Sequence, residues 1–76
     1  NPVVNTAWVD LSLTSSEVVR LDVINLIGQK VSSQDLGTMS AGNSRLPLDM
    51  SGLDSGIYLV TLTAGDTVST LRVTKQ

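Results

Sequence analysis

Seventy-six residues with seven acidic and five basic side chains, a formal net charge of −2, are enough for one small domain and no more. A chain of this length buries only about 60% of the surface that its unfolded form exposes, so its stability should be modest and a deep active site has little room. The five cations, Arg20, Lys30, Arg45, Arg72 and Lys75, are scattered and form no stripe that could neutralise phosphates, so no nucleic-acid partner is expected.

Along the chain, apolar residues recur with a period of two. In "AWVDLSLT", Ala7, Val9, Leu11 and Leu13 alternate with Trp8, Asp10 and Ser12, which predicts a half-buried strand. After the turn-rich "TSSE" comes "VVRLDVINL", with Val19, Leu21 and Val23 on one face and Arg20 and Asp22 on the other. Beyond Val23 the pattern shifts to Ile24 and Leu26, so a bulge or a change of partner is expected there. Gly28 in "LIGQKV" is suited to positive φ in a hairpin turn, and "KVSSQDL" is the returning strand.

"MSAGNS" reads as a loop, and "RLPLDM" as an extended segment whose Pro47 has no amide proton for a ladder, which places it at an edge or a bulge. "DSGIYLV" opens with the spacing Asp54, Gly56, Tyr58 of a tyrosine corner, in which a small polar turn delivers a tyrosine into a strand and its hydroxyl returns to upstream backbone. "IYLVTLT" is apolar on both faces and should be central. The closing "AGDTVSTLRVT" predicts a hairpin on a two-residue Gly65-Asp66 loop of the primed kind, with Leu71 and Val73 facing inward. Six strands are clear, and a short seventh is expected around Gly37 to Ser40 or at Pro2 to Val4. The fold class is therefore all-β, an immunoglobulin-like antiparallel β-sandwich of about seven short strands, with a small open barrel as its rival.

Chemistry is poorly provided for. Histidine and cysteine are absent, which removes the usual general base at neutral pH, the usual activated nucleophiles, disulfides and thiolate metal sites. The lack of cysteine suits a reducing cytosol and an exported bacterial domain equally. No apolar run approaches the roughly 20 residues of a membrane helix, and the first residues lack a signal-peptide pattern, so an export signal of that kind is expected elsewhere. Asp49 and Asp54 flank the corner loop as a conceivable acid pair or calcium site, but acids in turns more often bond their own backbone. The glycines of "SAGNS" and "SGLDSG" lack the Gly-Lys-Ser/Thr ending of a phosphate loop. Trp8 is either a sugar-stacking platform or, more commonly for a lone tryptophan, a core or sheet-edge filler. No catalytic residue, metal site or cofactor is expected. The doublets Ile57 with Leu59 and Ile24 with Leu26 are either covered by loops or left exposed as a patch for a partner.

"NPVVN", "VINLIGQKV", "LDMSGLDSGIYLVTLTAG" and "VSTLRVTK" follow one another in an order and spacing that resemble the C-terminal sorting domain of type IX secretion, over essentially the whole chain. Such domains usually open with Tyr-Pro-Asn-Pro, of which Asn1-Pro2 remain here, so residues 1–76 are expected to be one domain excised from a larger exported protein. Gln29 stands between the turn glycine and Lys30, where the family often places a cation directly.

The resemblance implies a secretion label rather than an enzyme, although the parent could be an enzyme such as a protease. It implies a cargo upstream in the same chain and an outer-membrane translocon with sortase-like components as partners. The expected location is the periplasm of a Gram-negative bacterium, in transit to the cell surface or the medium. The residues carried over are Gly28 of the hairpin, Gly56 and Tyr58 of the corner, and Val73 and Lys75 of the last strand. Folding alone accounts for Gly28, Gly56 and Tyr58, whereas Lys75 is expected to be solvated and open to direct recognition. An edge strand also offers a route to self-association. Two readings stand beside this one, a carbohydrate-binding or adhesive module of the same fold and a plain immunoglobulin-like spacer.

Overall fold

A computed structural model describes residues 4–76. They form six strands: β1 (Thr6–Leu13), β2 (Glu17–Asn25), β3 (Lys30–Met39), β4 (Gly42–Asp49), β5 (Gly56–Ala64) and β6 (Thr67–Lys75). All pairings are antiparallel, and they make a four-stranded sheet in the order β3-β2-β5-β6 and a two-stranded sheet of β1 and β4. The architecture is sandwich-like and all-β with six strands rather than seven. Gly37 to Met39 belong to β3 instead of forming a strand of their own, and Val4 lies outside the strands. Pro2, the other end of the second candidate, falls outside the described residues. "MSAGNS" is also shorter as a loop than its composition suggests, because Met39 ends β3 and Gly42 already begins β4.

The two sheets meet where the period-two pattern placed apolar side chains. Val19, Leu21 and Val23 of β2 and Val60 of β5 are wholly buried, facing Val9 and Leu11 of β1 and Leu46 and Leu48 of β4. Each such side chain contributes about 1.5–3 kcal/mol by leaving water. β5 lies between β2 and β6, as its two apolar faces required. Pro47 pairs with Trp8 in a two-stranded sheet, where β4 has a free edge and a missing amide proton costs no ladder bond.

The turns follow their glycines. Gly28, at φ +86°, closes the β2–β3 hairpin, and Gly65, at φ +58°, is the first residue of the two-residue β5–β6 loop, a position that favours glycine in a type II′ turn. The irregularity expected after Val23 is a bulge: register shifts between Val23 and Ile24, leaving Val31 of β3 unopposed. A second shift between Val19 and Arg20 leaves Leu36 as the extra residue, and its side chain packs against the core.

Two positions of β6 depart from expectation. Leu71 was expected to be buried, yet it is 41% exposed although it pairs with the fully buried Val60. The two-stranded sheet is too narrow to cover all four strands beneath it, so between β1 and β6 an open groove of about 320 Å³ remains, lined by Leu11, Leu13, Leu62, Ala64 and Leu71. Lys75, expected to be solvated, is instead 8% exposed. It occupies the inward row after Leu71 and Val73, where its aliphatic stem covers the end of the core.

Candidate functional site

Four of the five residues singled out in the sequence come together at one end of the β5–β6 pair. Gly56 is opposite Lys75, and Tyr58 is opposite Val73. Tyr58 is 7% exposed, and its hydroxyl donates to the Asp54 carbonyl at 2.6 Å, which is the corner that the Asp54, Gly56, Tyr58 spacing implies. Val73 is buried against the ring's side of the sheet. The Lys75 ammonium donates to the Gln76 carbonyl at 3.0 Å, so the charge is turned back toward its own backbone. Gly28 sits apart from these four, in the β2–β3 turn at the same end of the sheet, since Asn25 pairs with Tyr58.

That turn is built by Asn25. Its side-chain carbonyl accepts the amides of Ile27 at 3.2 Å and Gln29 at 2.9 Å, its side-chain amide donates to Gln29 Oε1 at 3.0 Å, and its backbone amide donates to the Gln29 carbonyl at 2.9 Å. Such side-chain mimicry of a turn is common for asparagine. Its result here is a fixed loop whose two apolar residues, Leu26 and Ile27, are 67% and 79% exposed.

The acids behave as turn and surface residues. Asp49 Oδ1 accepts from the Ser51 hydroxyl at 2.7 Å and the Ser51 amide at 3.0 Å, and these two bonds hold its carboxyl below the usual carboxylate range. Asp54 contributes its backbone carbonyl to the tyrosine corner. No group of acids arranged to hold a metal ion occurs among the described residues. Trp8 is not a core residue: it is half-exposed on the outer face of β1, with the Arg45 guanidinium 5.2 Å from its ring centroid, so one face of the indole is already taken.

A charge cluster on the outward face of β2 and β3 was not foreseen. Asp22, 9% exposed, has Arg20 Nε at 3.1 Å and Lys30 Nζ at 3.7 Å, while Arg20 also donates to Ser33 Oγ at 3.1 Å and reaches Asp35 at 3.8 Å. Burial pushes the Asp22 carboxyl upward, but hydrogen bonds from Ser33 and Arg20 and the charges of Arg20 and Lys30 outweigh it, and the net displacement is downward. The signal for it was present: Arg20 and Asp22 share a strand face at i and i+2, and a tight hairpin at Gly28 returns Lys30 to that face.

A family model described as a secretion system C-terminal sorting domain matches residues 1–76. No curated protein and no solved structure matches the chain.

Proposed function

Because the chain belongs to the C-terminal sorting domains of type IX secretion, we infer that the folded sandwich is the form in which its signal is read. The domain is a C-terminal secretion signal that directs a cargo protein out of the cell, to the surface or the medium of a Gram-negative bacterium. It is not itself catalytic. The single observation carrying this role is the family match along all 76 residues. The finer route is our proposal: the cargo is upstream in the same chain, passes through the periplasm, crosses an outer-membrane translocon and is released from the domain by a sortase-like component.

Within that route we assign Gly28, Gly56, Tyr58 and Val73 to keeping the signal folded, on the strength of the positive φ of Gly28, the corner bond of Tyr58 and the burial of Val73. Lys75 joins them, since its buried stem leaves little of it for a partner to read. The test is a reporter carrying the 76 residues at its carboxyl end, produced in a bacterium with type IX secretion and followed by fractionation. The reporter should reach the cell surface or the medium only with the domain attached. Accumulation of both forms in the periplasm would overturn the sorting role.

A further inference from the structure

The outward face of the four-stranded sheet has no layer over it among the described residues. At the end bearing the carboxyl-terminal strand, Ile24 of β2 lies opposite Leu59 of β5, Ile57 follows two residues along the same strand, and all three are only half-buried. Leu26 and Ile27 extend this apolar set at the hairpin tip, held out by the four hydrogen bonds of Asn25 and Gln29 rather than by a loose loop. Exposing two large aliphatic side chains on so constrained a turn does nothing for the fold, and clustered exposed apolar groups mark contacts.

The charges on this face say what it meets. Arg20, Lys30 and Arg72 point outward with Asp22 and Asp35, and Asp22 is enclosed by the first two cations. Arg72, directly opposite Leu59, has no carboxylate within ion-pair distance among the described residues, and no outward position of β5 or β6 is acidic. The face is therefore net positive on a chain of net charge −2. A second copy laid face to face would set one net positive face against another, and an anionic membrane is disfavoured by the overall negative charge.

We propose that this patch of Ile24, Ile57, Leu59, Leu26 and Ile27, with Arg72 at its rim, is the surface by which the folded domain docks on a protein of the export machinery that presents an apolar patch bordered by carboxylates. The assignment rests on the sorting role. A patch of five side chains belongs to the small, transient class of interfaces, which suits a signal that must be released.

The test compares three variants of the reporter fusion: Leu26→Ser with Ile27→Ser, Arg72→Glu, and Arg72→Lys. Surface display should fall about tenfold for the double variant and for Arg72→Glu, the loss of roughly 1.4 kcal/mol of docking, while Arg72→Lys keeps most of it. Melting of the purified 76-residue chain should stay within about 3 °C for all three, because the altered side chains are exposed. Undiminished display of both disruptive variants, in a strain where deleting the domain abolishes display, overturns the docking surface and leaves the sorting role intact. If the unaltered fusion is displayed no better than the reporter alone, the sorting role fails and the docking surface with it. Sedimentation showing a dimer lost on Ile27→Ser would give the patch to a second copy, and co-sedimentation with phosphatidylglycerol vesicles lost on Arg72→Glu would give it to lipid. Either result overturns the proposal.

Discussion

Tyr58 contributes a ring and a hydroxyl, and substitutions separate the two. Tyr58→Phe leaves the Asp54 carbonyl without its 2.6 Å donor but keeps the ring, so chemical denaturation should report a loss of about 1 kcal/mol. Tyr58→Ala also empties a buried site and should cost about 3–5 kcal/mol, a large share of a small domain's stability. At the same end of the β5–β6 pair, Lys75 makes a similar separation. Its position past the last apolar residue suggested a solvated side chain whose loss would change stability by less than about 0.5 kcal/mol. Since the stem is buried, Lys75→Ala should instead cost about 1–2 kcal/mol while Lys75→Met, which keeps the stem, costs little. Equal urea midpoints for both variants and the parent would refute the packing role. The inward row of Leu71 and Val73 continues to residue 75, but its charge and its place past the last apolar residue pointed instead to a solvated side chain.

At the scale of elements, β6 was legible in pairing and only half legible in burial. Its nine residues pair with β5 without a slip, around a Gly65-Asp66 loop that the sequence marks plainly. Whether Leu71 is covered depends on the width of the opposing sheet, which no local pattern in β6 encodes. Val73→Ser should therefore cost about 2 kcal/mol or more, and Leu71→Ser less than half of that, in parallel thermal melts. Equal losses would mean that the groove beside Leu71 closes in solution. The β2–β3 hairpin shows the same division. The bulge after Val23 was legible because the apolar period breaks there, and Gly28 because only a turn needs it. The bulge at Leu36 was hidden, since a single apolar residue in the polar run "SSQDLGT" carries no period of its own. Leu26 stood out beside Ile24 as an apolar residue that could stay exposed, but Ile27 did not, and the fixed presentation of both needed the Asn25 hydrogen bonds.

On the scale of the whole molecule, sheet count and charge decide behaviour that no single strand controls. Among the described residues, six strands make only two layers, one half the width of the other, so the outer side of the larger sheet is uncovered and its only buried acid, Asp22, lies on that side under Arg20 and Lys30. Because the folded carboxyl titrates below its ordinary value, the charged form stabilises the fold at neutral pH, and this contribution is present above the unfolded value of about 4 and is lost as pH falls through the folded one. The same acidification neutralises all seven acids and leaves the five cations of the chain unopposed, with Arg20 and Lys30 crowded around an uncharged Asp22. Stability should thus hold from neutral pH down to about 4 and drop steeply below it. Asp22→Asn should be less stable than the parent at pH 7, because its two cations lose their partner, and the two proteins should converge toward pH 2.5. Urea titrations of both chains across that range decide the matter: a gap that stays constant with pH would show that the Asp22 cluster stabilises by shape and hydrogen bonding alone, and that acid acts through the remaining carboxylates.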